Sequence, residues 1–179
     1  MKTILQSLRI LIVLTILTGA LYPLVVTALS RVTFPAQAAG SQVTADGKLI
    51  GSALLAQKFE KPEYFWPRPS AADYATVASG ASNKGPTSAD LVKSIEERRA
   101  KFGADAPAEL LTASGSGLDP HLSPAAAKYQ TARVAAARKL SEPSINALID
   151  SKTEGSQLGI FGEARINVLA LNRALDKLK

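Results

Sequence analysis

Residues 10–29 read ILIVLTILTGALYPLVVTAL and carry no ionisable group apart from the phenol of Tyr22. At about 1.5 Å of rise per residue, a helix over this run spans roughly 30 Å, the thickness of the hydrocarbon core of a bilayer. A helix satisfies its own backbone polar groups where water is absent. The run therefore predicts a single transmembrane helix over residues 10–30, and this helix sets the architecture of the chain.

A cleaved signal peptide is the alternative interpretation of the same run. Ala36-Gln37-Ala38 has the small-x-small form of a cleavage site. The apolar region of a signal peptide usually extends over only about 7 to 15 residues, and this run is longer. An uncleaved span is therefore favoured, while a secreted binding protein released after Ala38 stays open as a weaker hypothesis.

Basic residues close to the span predict its orientation. Lys2 and Arg9 precede it, and Arg31 is the one basic residue that follows before Lys48. Positive charges concentrate on the cytoplasmic side of membrane helices. We therefore expect residues 1–9 in the cytoplasm and the bulk of the chain outside.

Composition excludes several classes of function. The span has no charged group with which to handle an ion, so a role in transport would be that of an accessory. The chain has no cysteine and a single histidine, which excludes disulfides and thiolate metal sites and leaves no ligand-spaced metal cluster. The net charge is +6, but basic residues are scattered among acidic ones, as in residues 96–99 (EERR). This pattern indicates a solvated helix face and no nucleic-acid partner.

Beyond a connector at residues 31–42, residues 43–179 are expected to form one small soluble domain of mixed α/β class. Asp46-Gly47 lies between two strand-like runs and predicts a tight hairpin. Residues 87–90 (TSAD) have the form of a capping box, which predicts a helix that ends near Gly103.

The remaining elements are predicted from helix caps and apolar periodicity. Ser123-Pro124 marks the start of an alanine-rich helix that continues to Leu140. A short strand at residues 165–167 leads into a final helix capped by Asn167, whose apolar residues recur at steps of three and four.

Residues 62–86 are rich in proline, glycine and serine and include four aromatic residues. A stretch of this length inside a compact domain is usually ordered by its own side chains and is often functional. It is the best candidate for a binding surface, although Trp66 as an ordinary core residue is an equally good interpretation.

Residues 112–127 (TASGSGLDPHLSPAAA) raise the question of a serine hydrolase. Ser114 or Ser116 would be the nucleophile and His121 the base. The glycines beside Ser116 stand at the wrong spacing for a nucleophile elbow, which needs Gly-x-Ser-x-Gly. A turn that leads into the Ser123 cap explains the stretch better.

Residues 80–87 (GASNKGPT) have the outer glycines of a phosphate-binding loop. Pro86 stands where that motif has its lysine, and proline offers neither an ammonium group nor a backbone N–H. We therefore do not expect this chain to hydrolyse ATP alone.

Taken together, the sequence resembles the C subunit family of the Kdp potassium-transporting ATPase over almost its whole length. The resemblance rests on separated motifs in the right order: Thr18-Gly19, Tyr22-Pro23, Gly51-Ser52-Ala53-Leu54 with Gln57 and Phe59, Tyr64-Phe65, Arg68-Pro69-Ser70-Ala71, Ala78-Ser79-Gly80 with Ser82-Asn83, the run 112–121, Gly162-Glu163, Val168-Leu169, Leu171-Asn172 and Ala174-Leu175-Asp176.

The resemblance implies a non-catalytic accessory subunit in a bacterial inner-membrane complex. Its implied partners are a channel-like potassium subunit, a P-type ATPase subunit and a small hydrophobic subunit. Two roles are implied: holding the assembly together, and raising the affinity of the ATPase subunit for ATP. No cofactor is expected on the chain alone, although ATP would be shared with the ATPase subunit.

Four residues are candidates for contacts. By resemblance, Gln57 corresponds to a glutamine proposed to contact the nucleotide. Trp66, Arg68 and Lys84 are candidates for a docking surface because of their aromatic and basic character. The predicted orientation places Gln57 outside the cell, whereas ATP is in the cytoplasm, and a structural role beside the sheet is the favoured alternative for Gln57.

Overall fold

The computed structural model describes residues 2–178 and begins with a helical segment, Lys2–Thr33, that is long and apolar enough to cross a membrane. The segment consists of α1 (Lys2–Ile16), a π-helical turn (Leu17–Leu21) and α2 (Tyr22–Thr33). The fold predicted from the sequence, a membrane-length N-terminal helix followed by a small mixed α/β domain, is confirmed. The helix extends beyond the predicted span of residues 10–30 at both ends.

The π-helical turn lies directly before Pro23. Proline has no backbone N–H, and its ring crowds the carbonyl group four residues earlier. The wider turn relieves this conflict, and the N–H of Tyr22 donates to the carbonyl of Leu17 instead of to that of Thr18. Gly19 lies inside the turn, where it leaves open space beside the backbone.

After a short helix, α3 (Pro35–Ala38), the chain forms the predicted hairpin. Strand β1 (Gln42–Ala45) pairs antiparallel with β2 (Lys48–Ser52). Asp46 and Gly47 both have positive φ angles, 49° and 75°, as a tight hairpin turn requires. The hairpin prediction is therefore confirmed.

The chain divides into two compact units, with the boundary between Ser52 and Ala53. The first unit contains the membrane-length helix and the β1–β2 hairpin, and the second contains all later elements. The division predicted from the sequence, with residues 43–179 as one domain, stays a prediction.

Residues 53–88 form turns and irregular structure, and α4 (Ala89–Phe102) follows. The helix begins after Ser88 without any side-chain cap, so the capping box predicted at Thr87 is wrong. The Asp90 carboxylate does not cap the helix and lies 3.7 Å from the ammonium group of Lys84. The far end is as predicted, because Gly103 terminates the helix with a φ of 110°.

Four helices build the middle of the second unit: α5 (Ala108–Leu111), α6 (Pro124–Tyr129), α7 (Thr131–Arg138) and α8 (Glu142–Lys152). Ser123 caps α6 as predicted, since its hydroxyl accepts the N–H of Ala126 at 3.1 Å. The single helix predicted up to Leu140 is wrong, because the chain is divided at Gln130 into α6 and α7, and α7 ends at Arg138. The side chain of Gln130 holds a distant backbone segment, a constraint that local propensity does not contain.

The last part of the chain contains a short strand, which pairs with an earlier strand of the same length, and then α9 (Val168–Leu175). Strand β3 (His121–Leu122) runs antiparallel to β4 (Ile166–Asn167). Asn167 caps α9 as predicted, accepting the N–H of Ala170 at 3.0 Å, and its amide also donates to the carbonyl of Ala53 at 2.7 Å.

The core of the second unit lies between α6, α7, α8 and α9, with further residues from α5, β3 and β4 and one fully buried residue from the irregular loop. Phe65 is that residue, and it is fully buried. The burial of such a side chain contributes about 1.5–3 kcal/mol. The main members of the core are Phe65, Leu110, Leu122, Ala126, Ala127, Val134, Ile145, Ile149, Ile166, Val168, Leu171 and Leu175.

Candidate docking surface

Two buried amide side chains hold the centre of the long loop. The Oδ1 atom of Asn172 accepts the backbone N–H of Phe65 at 2.8 Å, and its Nδ2 atom donates to the carbonyl of Phe65 at 3.0 Å. In the same way, the Oε1 atom of Gln130 accepts the backbone N–H of Trp66 at 2.9 Å, and its Nε2 atom donates to the carbonyl of Trp66 at 3.0 Å. Consecutive loop residues thus have both backbone polar groups satisfied, as they would be in a sheet. We call Asn172 and Gln130 the amide clamp.

The amide clamp presents the Trp66 ring between two cations. The guanidinium carbon of Arg133 lies 3.8 Å from the ring centroid and the ammonium group of Lys101 lies 4.2 Å from it. Phe102 meets the ring edge-on, with 5.4 Å between centroids. Such cation–π contacts each contribute about 0.5–2 kcal/mol, depending on exposure. Trp66 is therefore both half-buried and surrounded by positive charge.

Arg133 is fixed by hydrogen bonds to loop carbonyls. Its Nη1 atom donates to the carbonyls of Pro62 and Tyr64 at 2.6 Å and 3.0 Å, and its Nη2 atom donates to Oε1 of Gln130 at 2.6 Å. Burial lowers the pKa of the guanidinium to about 10. Arg133 therefore remains charged at neutral pH and ties the loop to α7.

Arg68, the second candidate, is directed into the domain. Its Nη1 atom lies 3.0 Å from Oδ2 of Asp119, and the hydroxyl of Tyr74 donates to the Arg68 carbonyl at 2.9 Å. The Arg68 side chain is 27% exposed. Burial raises the pKa of Tyr74 to about 12, so the phenol stays neutral and keeps donating. Arg68 thus shapes the loop, and its charge is already partnered.

Lys84, the third candidate, lies on a separate cleft of about 380 Å³ that it shares with Ser70, Ser82 and Arg98. Trp66 lines a neighbouring cleft of about 200 Å³ together with Lys101 and, again, Arg98. The Nη1 atom of Arg98 donates to the carbonyl of Leu111 at 2.7 Å, which fixes the wall between the two clefts. The structure therefore places Trp66 and Lys84 on adjoining clefts, and Arg68 is not among the residues that line them.

Gln57 lies elsewhere in the loop. It is half-buried, and it is not free of partners within the chain. The preceding residue, Ala56, is buried and donates its N–H to the carbonyl of Leu118 at 3.0 Å. The backbone directly before Gln57 is therefore attached to the glycine-rich turn that precedes β3.

The serines and the histidine of residues 112–127 do not form a catalytic arrangement. Ser114 is 2% exposed. Ser116 accepts the N–H of Leu118 at 3.1 Å, as a turn-forming serine does. Asp119 accepts the backbone N–H of His121 and pairs with Arg68. Within residues 2–178, no hydrogen bond joins the His121 ring to either serine.

The turn around these serines is held by close backbone packing. Gly117 has a φ of 70°, and a Cβ atom at this position would lie 2.9 Å from the carbonyl oxygen of Gly80. Only glycine fits such a path without strain. The cluster of serine, aspartate and histidine is thus explained as a structural turn.

Metal ligation finds no support in the part of the chain that the structure describes. Among those residues, no group of three or more His, Cys, Asp and Glu side chains lies close enough to hold a metal ion.

The amide clamp and Arg133 were missed in the sequence. A signal was present at Asn172, because it lies four residues after Val168 on the apolar stripe of α9. A polar side chain on such a stripe is buried and must find partners. Gln130 and Arg133 lie in a run that predicts a plain surface helix, and nothing local marks them.

These observations define a class: a protein with one membrane-length helix and a small α/β domain whose polar clusters are structural and whose surface carries basic and aromatic clefts. Comparison with known proteins identifies the family. The family model described as KdpC, the c chain of K⁺-transporting ATPases, matches residues 4–177.

Relatives named potassium-transporting ATPase KdpC subunit match over nearly full length. The protein from Methylococcus capsulatus is 50% identical over 97% of this chain and 96% of its own. The protein from Geobacter sulfurreducens is 49% identical over 99% of this chain and 99% of its own. The protein from Cereibacter sphaeroides (strain ATCC 17029) is 49% identical over 95% of this chain and 94% of its own. The chain belongs to the KdpC family, the non-catalytic C subunits of the Kdp ATPase complex.

Proposed function

We propose that this chain stabilises the Kdp complex in the membrane by contributing one helix and one docking domain. The observation that carries the proposal is the segment Lys2–Thr33, in which none of the side chains is buried within the described chain. Its apolar surface requires lipid or partner helices. The π-helical turn around Gly19 offers a small-residue surface for close approach of a neighbouring helix.

The proposed orientation has the N-terminus in the cytoplasm and the second unit on the outer side of a bacterial inner membrane. Lys2 and Arg9 before the apolar run, against Arg31 after it, support this orientation. The proposed partners are the channel-like potassium subunit, the ATPase subunit and the small hydrophobic subunit. We place the docking domain against the external face of the channel-like subunit, through the clefts lined by Trp66 and Lys84.

Co-purification of the complex tests this proposal. The full chain is expressed with its three partners, one of which carries the affinity tag, and retention of the chain is measured. Charge reversal of Lys84→Glu is expected to reduce retention several-fold, whereas Lys93→Glu, an exposed lysine on α4, is expected to leave it unchanged. Loss of the wild-type chain during purification would contradict the proposal itself.

The second proposed role is that of raising the affinity of the ATPase subunit for ATP, as the family resemblance implies, with Gln57 as the residue in contact with nucleotide. The half-burial and existing partner of Gln57 favour a structural contribution. The two alternatives differ in the side of the membrane that Gln57 occupies, since ATP is cytoplasmic.

An engineered Gln57→Cys chain distinguishes these alternatives in intact cells. If an impermeant thiol reagent labels Cys at this position from outside, direct contact with ATP is excluded, and any effect on ATP affinity must pass through the assembly. Protection in intact cells and labelling after permeabilisation would support direct contact. The chain has no other cysteine, so the signal is specific.

A hydrolase based on Ser114 or Ser116 with His121 is the rival function, and the geometry does not favour it. A His121→Ala variant is expected to support growth at limiting potassium. Loss of growth with the complex still assembled would revive the rival.

A further inference from the structure

The segment between α8 and β4 forms an exposed hairpin with an apolar tip. Glu154 and Arg165 exchange both backbone hydrogen bonds, each at 2.9 Å, at its base. Gln157 and Phe161 form a second bridge nearer the tip. We call residues 154–165 the tip hairpin, and it lies within the second unit.

Large apolar side chains at the tip hairpin point into solvent. Leu158 is 88% exposed, Ile160 is 79% exposed and Phe161 is 63% exposed. Single exposed apolar residues are ordinary on protein surfaces, but three within four positions form a contiguous patch. The patch therefore needs an explanation.

The backbone at the tip adds an independent observation. Leu158 and Gly159 have φ angles of 55° and 74°, and the N–H of Ile160 donates to the carbonyl of Gln157 at 3.1 Å. This is the signature of a type I′ turn, whose first central position favours Asn, Asp or Gly. Leucine there is disfavoured both by conformation and by exposure to water. With its side chain 88% exposed, Leu158 gains little from contacts with the described residues of the domain to offset these costs.

Charges around the patch indicate what covers it. Arg165 is engaged by Glu154, with 3.3 Å between Nη2 and Oε2, and the other charged residue of the tip hairpin is Glu163. A patch with a net negative charge is not attracted to an anionic lipid surface, which recruits lysine and arginine. An uncharged apolar pocket on a protein is the better match.

We infer that the tip hairpin is a docking element that inserts Leu158, Ile160 and Phe161 into an apolar pocket on a partner subunit of the potassium-transporting ATPase complex. The inference rests on the proposed function, since it requires that the chain assembles with partners. Anchoring by a few buried apolar side chains is typical of protein interfaces. The contact lies apart in sequence from the clefts of Trp66 and Lys84 and would give the domain a second point of attachment.

The test uses Leu158→Asn in the full chain within the co-expressed complex. Asparagine suits the turn better than leucine, so the thermal unfolding temperature of the isolated subunit in detergent is expected to stay equal or rise. Dissociation of the variant from the tagged complex is expected to become about tenfold faster. Leu49→Asn is the matched control, because Leu49 is an aliphatic residue that is 60% exposed and lies outside the loop of residues 62–86, and it is expected to dissociate like the wild type.

The outcomes separate this inference from the proposed function. If the wild-type chain is retained and Leu158→Asn is retained equally, the docking inference is overturned while the assembly role stands. If the wild-type chain is not retained, both are overturned.

A photo-crosslinker identifies the occupant directly. With p-benzoylphenylalanine at position 158, irradiation of the assembled complex is expected to yield an adduct with one of the other subunits. An adduct with lipid only, an adduct with a second copy of this chain, or no adduct overturns the inference.

Discussion

Replacing Asn172 with leucine tests whether the amide clamp is the main attachment of the long loop. Asn172 is 2% exposed and lies on α9, more than a hundred positions from the loop residue that it binds. Leucine has a similar volume and belongs to the surrounding apolar stripe, so the change removes hydrogen bonds without opening a large cavity. The N–H and carbonyl of Phe65 then stay buried without partners.

The magnitude follows from the two groups left unsatisfied. Each buried polar group without a partner costs about 1–3 kcal/mol. The gain in apolar contact from leucine offsets about 1 kcal/mol of this. The free energy of unfolding of the second unit is therefore expected to fall by about 3 kcal/mol, more than a hundredfold in the folding equilibrium.

Trp66 supplies the assay, because it is the only tryptophan in the chain and adjoins the clamped residue. Its fluorescence is followed during urea titration of the full chain in detergent. The control is Gln157→Leu, which removes an exposed amide that makes no side-chain hydrogen bond in the described part of the chain, and it is expected to change stability by less than about 0.5 kcal/mol. A loss below about 1 kcal/mol for Asn172→Leu, at an unchanged slope, would refute the reasoning.

Three further predictions address two turns and the dependence of stability on pH. Gly117→Ala is expected to lower the free energy of unfolding, measured in urea titrations, by about 2 kcal/mol or more, because it combines strain at positive φ with a close contact against the Gly80 carbonyl. Gly115→Ala is the matched control, since a Cβ atom there meets nothing within 4 Å, and it is expected to leave stability unchanged. Lys139→Gly is expected to raise stability by about 0.5–1 kcal/mol, since Lys139 ends α7 with a φ of 57°, and an unchanged or lower melting temperature would contradict this. Burial raises the pKa of Tyr74 from 10 to about 12, so the stabilising neutral phenol is fully present below pH 10 and its contribution is lost as the pH rises towards 12. A Tyr74→Phe chain is expected to lose less stability than the wild type over that interval, and parallel unfolding curves for the two proteins would count against a buried phenol.

The parts of the fold that were predicted correctly are those set by short-range chemistry. The apolar run of residues 10–29 predicts its helix because no other backbone arrangement satisfies its polar groups in lipid. Asp46-Gly47 predicts a hairpin because few other pairs adopt two positive φ angles. Ser123 and Asn167 predict helix starts because their side chains accept the free N–H groups of the first turn.

The two wrong helix predictions have different physical origins. The capping box at Thr87 fails because α4 starts after Ser88 and Asp90 lies beside Lys84. The long helix to Leu140 fails because Gln130 turns its amide towards Trp66, far away in sequence. At Gln130 a tertiary hydrogen bond overrides the local helix propensity, whereas at Thr87 the helix begins one residue later and the ion pair of Asp90 is local.

The same distinction explains why the candidate site was only half visible in the sequence. Trp66 and Arg68 stand out by residue type, but residue type does not separate a side chain that shapes a surface from one that forms it. Arg68 is paired with Asp119, whereas Gln130 and Asn172 hold the loop that presents Trp66. In the sequence, Asn172 stands out only as part of the Leu171-Asn172 motif, and Gln130 does not stand out. The side-chain amides of Asn172 and Gln130 form hydrogen bonds with the backbone of two consecutive loop residues, Phe65 and Trp66. Because these bonds fix both the burial of Phe65 and the position of Trp66, core packing and the presentation of the surface are coupled in this domain. A substitution in the clamp should therefore disturb docking even though neither amide reaches the surface. A substitution at Lys84, which also removes a surface ion pair with Asp90, should disturb docking with little loss of stability.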